Sequence, residues 1–194
     1  QEPDPQGAVE RAREHLGNGY VVDLAWLRSA PWRERIASTF DPDVWRPALF
    51  DIESVTIRHH PDSAISGLLL IGWLASRLGW ETGSVIRRNG DLMARARAKR
   101  HEVKLALESE PKLNVPGLDG LSIQCSRGMR IALSRGPGGL SAKRTLRDGS
   151  ESSWVVMGAS RGEQGILGEG IRQALLRDPT YGPALGAAAS MLGT

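Results

Sequence analysis

The segment Ser63–Trp80, with the sequence SAISGLLLIGWLASRLGW, is apolar around nearly its whole circumference when it is arranged as a helix. A helix that is apolar on most sides is buried inside a protein. Ser63 is predicted to cap the start of this helix, and Gly79 is the type of residue that ends a helix in the left-handed conformation. The rest of the chain is therefore expected to pack around this helix.

Strand-like runs flank the helix on both sides. SVTIRHH (Ser54–His60) precedes it and ETGSVIRR (Glu81–Arg88) follows it, each after a short link. A strand, a helix and a strand with short links predict a βαβ unit, whose crossover is right-handed if the two strands are parallel.

The first fifty residues are predicted to be helical. Asp4–Leu16 has the amphipathic pattern of a surface helix. A second helix, Pro31–Phe40, is expected to be capped by Ser29, with the proline in its first turn. The helical pattern that follows is expected to break near Arg46, because Pro47 removes a helical hydrogen bond.

The sequence after residue 90 changes to the period of a sheet. The run Leu92–Arg100 fits a strand by period and a helix by composition, so it stays ambiguous. Beyond it, five short runs alternate between apolar and polar residues and are linked by tight turns, which predicts an antiparallel meander with one packed and one solvated face. These runs are Val103–Leu107, Leu121–Cys125, Met129–Leu133, Leu140–Arg147 and Ser152–Met157.

The chain is predicted to return to helix over Glu163–Arg177 and Tyr181–Leu192. The predicted fold class is therefore α+β, with a mostly antiparallel sheet of about five to seven strands and the buried helix Ser63–Leu78 in its βαβ unit. We expect one domain over residues 1–194, made of a helical part (1–50), the sheet with the central helix (51–160) and C-terminal helices (161–194). The chain starts at Gln1 without an initiator methionine, and we expect it to be part of a longer protein.

The single cysteine, Cys125, excludes an internal disulfide framework and a zinc cluster built from cysteines. It alternates in phase with Leu121 and Ile123, which is typical of a core residue and not of a reactive thiol. One cysteine fits a reducing cytosol, and the N-terminus lacks the features of a signal peptide. The apolar run Leu68–Leu74 is too short for a bilayer, which needs about 20 apolar residues. We expect a cytoplasmic protein without membrane contact.

The net charge of +3 is unevenly distributed, because residues 84–147 carry +9 and the remainder carries −6. Such a block predicts either a solvated sheet face or an anionic partner. Nucleic-acid binding through the basic sheet is one alternative. A single-strand binding face would also need aromatic side chains for stacking, and residues 81–153 contain none. We therefore expect no nucleic-acid partner.

No residue pattern predicts catalysis, a metal site or a cofactor. The four histidines are scattered, and His59 and His60 would point to opposite faces of a strand. WVVMGASRGEQG (Trp154–Gly165) is similar to the glycine turn of short-chain dehydrogenases, but the 29 residues after it are predicted to be helical and cannot supply the further βα units of a dinucleotide fold. A simple anion site at Arg161 and Gly162 stays open.

Two tryptophan-bearing segments resemble the signatures of a known family. Leu69–Trp80 fits the pattern L-L-x-G-W-L-A-S-R-L-G-W, and the ending D-x-x-Y-x-x-A-L is matched around Asp178 and Tyr181. The pattern D-L-A-W-x-R-x-x-P-W-R is matched by Asp23, Leu24, Ala25, Trp26, Arg28, Pro31, Trp32 and Arg33. Over about residues 20–185, the chain resembles the OpcA family, the glucose-6-phosphate dehydrogenase assembly proteins of actinobacteria and cyanobacteria.

The resemblance implies a non-enzymatic protein that binds glucose-6-phosphate dehydrogenase, promotes its oligomeric or active state and so raises the NADPH supply from the oxidative pentose phosphate pathway. Cysteine-based redox control, which is known for cyanobacterial members, has no cysteine pair to act through here. A different class of function, a small-anion or sugar-phosphate sensor, would use Arg161 and the sheet arginines.

The first signature segment is also a candidate docking surface. Tryptophan and arginine dominate the hot spots of protein interfaces. Trp26, Arg28, Pro31, Trp32 and Arg33 are therefore predicted to contact the dehydrogenase. The alternative is that the two tryptophans cap the central helix and only stabilise the domain.

Overall fold

The computed structural model of the chain describes residues 4–19, 21–136, 139–157, 168 and 178–194. Its helices in these ranges are α1 (Pro5–Asn18), α2 (Leu24–Phe40), α3 (Ala64–Leu78) and α4 (Tyr181–Leu192), with 3-10 helices at Arg46–Asp51 and Pro61–Ser63. Its strands are β1 (Ile52–His59), β2 (Glu81–Thr82), β3 (Ile86–Arg88), β4 (Asp91–Arg97), β5 (Glu102–Ser109), β6 (Leu118–Cys125), β7 (Arg130–Gly136), β8 (Gly139–Thr145) and β9 (Glu151–Met157).

All nine strands form one sheet in the order β2-β4-β5-β1-β6-β7-β8-β9, and β3 also pairs with β4. Neighbouring strands are antiparallel except β1 and β5, which are parallel. The predicted α+β class with a mostly antiparallel sheet is thus confirmed. The described residues form nine strands instead of five to seven, because Glu81–Arg88 contributes two short strands and the ambiguous run Leu92–Arg100 becomes β4.

The strand order corrects the predicted connections. The meander holds for β6 to β9, but β1 lies between β5 and β6. The unit β1–α3–β2 exists, and β2 runs in the same direction as β1, but β5 and β4 separate the two strands. Local periodicity cannot show such an insertion, since the partners of a central strand are chosen by tertiary packing and not by neighbouring sequence.

Helix α3 is the inner brace of the domain, as predicted. Ten of its 15 residues are buried, and Leu68–Ile71 have no exposed surface. It lies on β1 and β5 and packs closely against α4. Gly79 ends the helix with φ 65°, as its left-handed C-terminal residue. Ser63 occupies the predicted N-cap position, but its side chain does not cap the helix, because its hydroxyl accepts a hydrogen bond from the Gly117 N–H at 2.7 Å.

Helix α2 begins seven residues earlier than predicted. The Asp23 carboxylate caps it by accepting from the N–H groups of Ala25 and Trp26, so Pro31 lies inside the helix. The predicted cap residue Ser29 is helical, and its hydroxyl donates to the Trp26 carbonyl. Burial of Trp26 and Leu27 by the first turns offsets the cost of an internal proline. The predicted break near Arg46 takes another form, because residues 41–45 form a turn and a 3-10 helix with Pro47 in its first turn starts at Arg46.

The core confirms the predicted role of Cys125, which is 1% exposed on the helix side of the sheet. Burial raises the pKa of its thiol to about 12, and the nearby charges of Asp51 and Glu53 add to the shift. The thiol is therefore protonated at neutral pH. The predicted helix Glu163–Arg177, the glycine turn after Trp154 and the anion residues Arg161 and Gly162 lie outside the described residues.

Candidate functional site

The residues of the first and last signature motifs meet where α2 and α4 begin. The Trp26 indole N–H donates to Asp178 Oδ2 at 2.9 Å, and the Tyr181 hydroxyl donates to Asp23 Oδ2 at 2.8 Å. The rings of Trp26 and Tyr181 lie 5.3 Å apart between centroids. These contacts join positions more than 150 residues apart in the sequence. We call this set the α2–α4 clasp: Asp23, Trp26, Arg33, Asp178 and Tyr181.

Arg33 completes the clasp from within α2. Its guanidinium carbon lies 3.4 Å from the centroid of the Trp26 ring, and its Nη1 donates to the Trp26 carbonyl at 2.8 Å and to the Ser29 hydroxyl. Its Nη2 is 3.7 Å from Asp178 Oδ2. Burial lowers the pKa of Arg33 to about 10, against the opposing effect of Asp178, so the side chain is charged at neutral pH. The buried cation thus lies between a ring and a carboxylate, and removing either partner would leave the other desolvated.

Asp178 is held ionised by its partners. Burial by itself would raise its pKa, but hydrogen bonds from the hydroxyl and N–H of Thr180, the indole of Trp26 and the charge of Arg33 outweigh burial, and the pKa is lowered. The two Thr180 bonds measure 2.6 and 2.9 Å. A carboxylate with so many donors is a structural anion and a poor general acid at neutral pH.

Tyr181 gives the clasp a dependence on alkaline pH. Burial raises the pKa of its hydroxyl, and the charge of Asp23 and the hydrogen bond to it add to the shift. The folded protein therefore keeps this proton at a pH where the unfolded chain, with a tyrosine pKa of about 10, has lost it. The stabilisation is fully present below about pH 10 and is lost as the pH rises towards the folded-state value.

We expect Tyr181→Phe to cost about 1–2 kcal/mol of unfolding free energy at pH 7, because the Asp23 carboxylate loses a donor. Between about pH 9 and 11, the variant should lose less stability than the unmodified chain. Urea unfolding across this range measures both effects. Equal pH slopes for the two proteins would show that Tyr181 does not carry the alkaline dependence.

A cavity of about 510 Å³ adjoins the clasp. Its lining is mainly apolar, with Leu16, Val21, Val22, Leu27 and Pro179 beside the clasp residues. The polar groups in its wall are already engaged, because the Asp23 carboxylate accepts from Tyr181 and from two N–H groups of α2. The cavity therefore offers apolar surface and a satisfied hydrogen-bond network.

The structure buries three of the five residues that were predicted to dock the dehydrogenase. Trp26 and Trp32 are 3% exposed and Arg33 is 7% exposed. Pro31 is half-buried, and Arg28 is exposed on α2. Trp26 and Arg33 come together in the clasp, while Trp32 lies in the main core. Of the five residues, Arg28 and Pro31 are thus the ones whose side chains reach the surface, and their docking role stays a prediction.

Sequence reasoning missed a second arginine, which joins α2 to the sheet. The Arg144 guanidinium carbon lies 4.2 Å from the Trp45 ring centroid and 5.3 Å from that of Trp154. Its Nη2 donates to the Thr39 carbonyl at 2.9 Å, in the last turn of α2. Burial lowers its pKa. A cation at the C-terminus of a helix is favourable, but an isolated arginine on a strand carries no sequence signal for such a contact.

Ion pairs neutralise part of the basic block in the tertiary structure, where three of its 14 lysine and arginine side chains pair with acids on neighbouring strands. Four ion pairs on the solvated side of the sheet join cations to acids on neighbouring strands at 2.6–3.2 Å. They are Arg58–Asp119, Arg95–Glu102, Arg97–Glu81 and Lys143–Glu151. Such cross-strand pairs are typical of a solvated sheet face. Across the described ranges, no group of three or more histidine, cysteine or acidic side chains is placed to hold a metal ion.

The fold and the clasp define an α+β domain whose signature residues bind one another. The family described as the C-terminal domain of the glucose-6-phosphate dehydrogenase subunit matches residues 19–185, so the chain belongs to this family. This confirms the predicted resemblance to OpcA proteins.

Three relatives bear the name OxPP cycle protein OpcA. The protein of Synechococcus elongatus is 35% identical over 120 residues, which are 59% of this chain and 27% of the relative. The protein of Nostoc punctiforme is 37% identical over 89 residues (45% and 19%), and that of Synechocystis is 40% identical over 60 residues (31% and 13%). The matched part of the chain thus spans about a quarter or less of each relative's length.

Two solved structures are also similar, at low sequence identity. The dehydrogenase MviM of Clostridium difficile has a TM-score of 0.45 at 10% identity, covering 74% of this chain and 53% of that chain. The oxidoreductase YvaA of Bacillus subtilis has a TM-score of 0.43 at 14% identity, covering 79% and 57%. In the part of this chain that the structure describes, no helix combines the length and hydrophobicity of a membrane span.

Proposed function

We propose that this domain binds glucose-6-phosphate dehydrogenase and supports its oligomerisation and activity in the oxidative pentose phosphate pathway, without catalysing a reaction itself. Membership of the family and the names of the three relatives support the link to this enzyme. The clasp is the observation that carries the non-enzymatic part of the proposal. The polar groups of the signature residues bind one another, so the signature maintains a scaffold.

Helix α2 is the proposed docking element. Its inner side is fixed by the clasp and the core, while Arg28 lies on its exposed side. An arginine on a rigid helix is a frequent hot spot, because the helix limits the entropy lost on binding.

We expect Arg28→Ala to weaken dehydrogenase binding by about tenfold or more and to change the free energy of unfolding by less than about 1 kcal/mol, as is usual for an exposed arginine. Arg33→Ala should instead destabilise the fold, because it leaves the Trp26 carbonyl without this donor and Asp178 without its cation. Titration calorimetry with the purified dehydrogenase and urea unfolding measure the two quantities. Arg11→Ala, an exposed arginine on α1, is the matched control.

The proposal as a whole is tested by capturing the dehydrogenase of the same organism on the immobilised chain and measuring NADPH formation with and without it. Direct binding and a raised rate are expected. A dehydrogenase that neither binds nor responds would contradict the proposal. A saturable signal from glucose 6-phosphate alone, without the dehydrogenase, would favour the sugar-phosphate sensor instead.

A further inference from the structure

The solvated side of the sheet, here called the open face, is a broad surface with small side chains at its centre. The helix–strand contacts lie on the other side, where Gly67 of α3 sits against Leu107 and Ile57. The strand registers align one continuous row across the middle of the open face. Its members are Met93, Ala106, Thr56, Ser122, Ala132 and Lys143.

The centre of this row is half-buried by its neighbours, and its side chains are short. Two sheets can therefore approach each other closely there. Lys143, the one charged member of these six, already pairs with Glu151 at 2.7 Å. Within the described residues, no helix or loop covers this row.

Two charged side chains on β5 differ from those that form ion pairs on the open face. Lys104 and Glu108 are exposed, and neither forms an ion pair in the part of the chain that the structure describes. They lie two residues before and two residues after Ala106, so both are on the open face at equal distances from the central row. On β4, Arg95 and Asp91 flank Met93 at the same spacing, while Arg95 also pairs with Glu102 at 2.8 Å and Asp91 accepts a hydrogen bond from the Ser109 N–H at 2.9 Å.

We propose that the open face binds a second copy of this chain, with a two-fold axis along the central row and perpendicular to the strands. This symmetry places each strand over its own counterpart, running in the opposite direction. Ala106 then meets Ala106 of the partner subunit, Lys104 meets Glu108 of the partner subunit, and Arg95 meets Asp91 of the partner subunit. The charges on β4 and β5 of one copy thus face opposite charges on the same strands of the other copy. Binding to an unrelated protein would not require this arrangement.

The area of the open face is large enough for a dimer interface. Seven strands reach the central row, and at a spacing of about 4.8 Å, with about five residues of 3.3 Å each, they give roughly 550 Å² per copy. Two copies would bury about 1,100 Å², just above the roughly 1,000 Å² that a specific interface should clear. The dimer does not depend on the proposed function, because either can hold without the other.

Sedimentation of the 194-residue chain tests the dimer directly. A concentration-dependent dimer is expected below about 100 µM, and a chain that stays monomeric at that concentration overturns the proposal. Ala106→Arg should weaken the dimer at least tenfold, because it places two arginines on the axis. Ala37→Arg, the same change at an exposed position of α2, should leave it unaltered.

Exchanging the charges of Lys104 and Glu108 tests whether a second copy of the chain binds the open face. Lys104→Glu alone puts two carboxylates together and should weaken the dimer at least tenfold, and adding Glu108→Lys should restore it to within about threefold. Failure to restore it, with both variants folded, overturns the two-fold arrangement. If the chain is monomeric and Ala106→Arg abolishes dehydrogenase binding, the face belongs to the enzyme; the dimer is then refuted while the proposed function stands.

Discussion

Replacing Gly72 with alanine should lower the free energy of unfolding by about 3 kcal/mol or more, because there is no room for a Cβ atom at this position of α3. An added Cβ would lie 2.2 Å from the carbonyl oxygen of Ala184 and 3.2 Å from the backbone nitrogen of Ala188. Both atoms belong to the backbone of α4, so no side-chain rotation relieves the overlap. The two helices must separate, and apolar contacts along their interface are lost with them.

Gly186→Ala is the matched control for this prediction. Gly186 lies on the exposed side of α4, and an added Cβ meets nothing within 4 Å. The same chemical change should therefore stabilise the protein by up to about 1 kcal/mol, which is the difference in helix propensity. Urea unfolding of the two variants compares them directly. A loss below about 1 kcal/mol for Gly72→Ala would mean that α3 and α4 are not as closely packed as described.

The second large effect is expected from Asp178→Ala, which should cost about 2–4 kcal/mol of unfolding free energy. The carboxylate accepts from the Trp26 indole and from two groups of Thr180, and it is the acidic neighbour of the buried Arg33. Its removal leaves a desolvated cation and an indole N–H without this acceptor. Asp41→Ala is the control, since Asp41 forms an exposed pair with Arg46 and should cost less than about 0.5 kcal/mol.

The lowered pKa of Asp178 adds a pH signature to the same prediction. The folded state holds the ionised form more tightly than the unfolded chain does, so the stabilisation is present above the unfolded pKa of about 3.9 and is lost as the pH falls through the folded value. Asp178→Asn should therefore flatten the loss of stability between about pH 5 and 2. If the free energy of unfolding of Asp178→Asn depends on acidic pH as in the unmodified chain, the clasp does not stabilise the ionised form of Asp178.

Only the structure distinguishes the arginine that stabilises the fold from the arginine that is proposed to bind the partner. From the sequence, Arg28 and Arg33 are equivalent members of one signature, and both are candidates for the interface. The fold places Arg33 under Trp26 and Arg28 on the outer side of α2. The first residue is thus expected to change stability, and the second to change binding.

The sequence by itself determined the elements whose patterns are local. Apolar residues on every side of Ala64–Leu78 specify a buried helix, Gly79 specifies its end, and period-two alternation specifies the strands around Cys125. These features depend on residues a few positions apart, so a window of the sequence contains their whole cause.

Only the tertiary structure decided what those elements contact. It inserted β1 between β5 and β6, moved the start of α2 to the Asp23 cap, and joined Trp26 to Asp178 across 152 positions. It also paired three cations of the basic block with acids on other strands, including Arg97 with Glu81. Such contacts arise because burial and hydrogen bonding are satisfied over the whole chain at once, and no local pattern records which distant partner satisfies them.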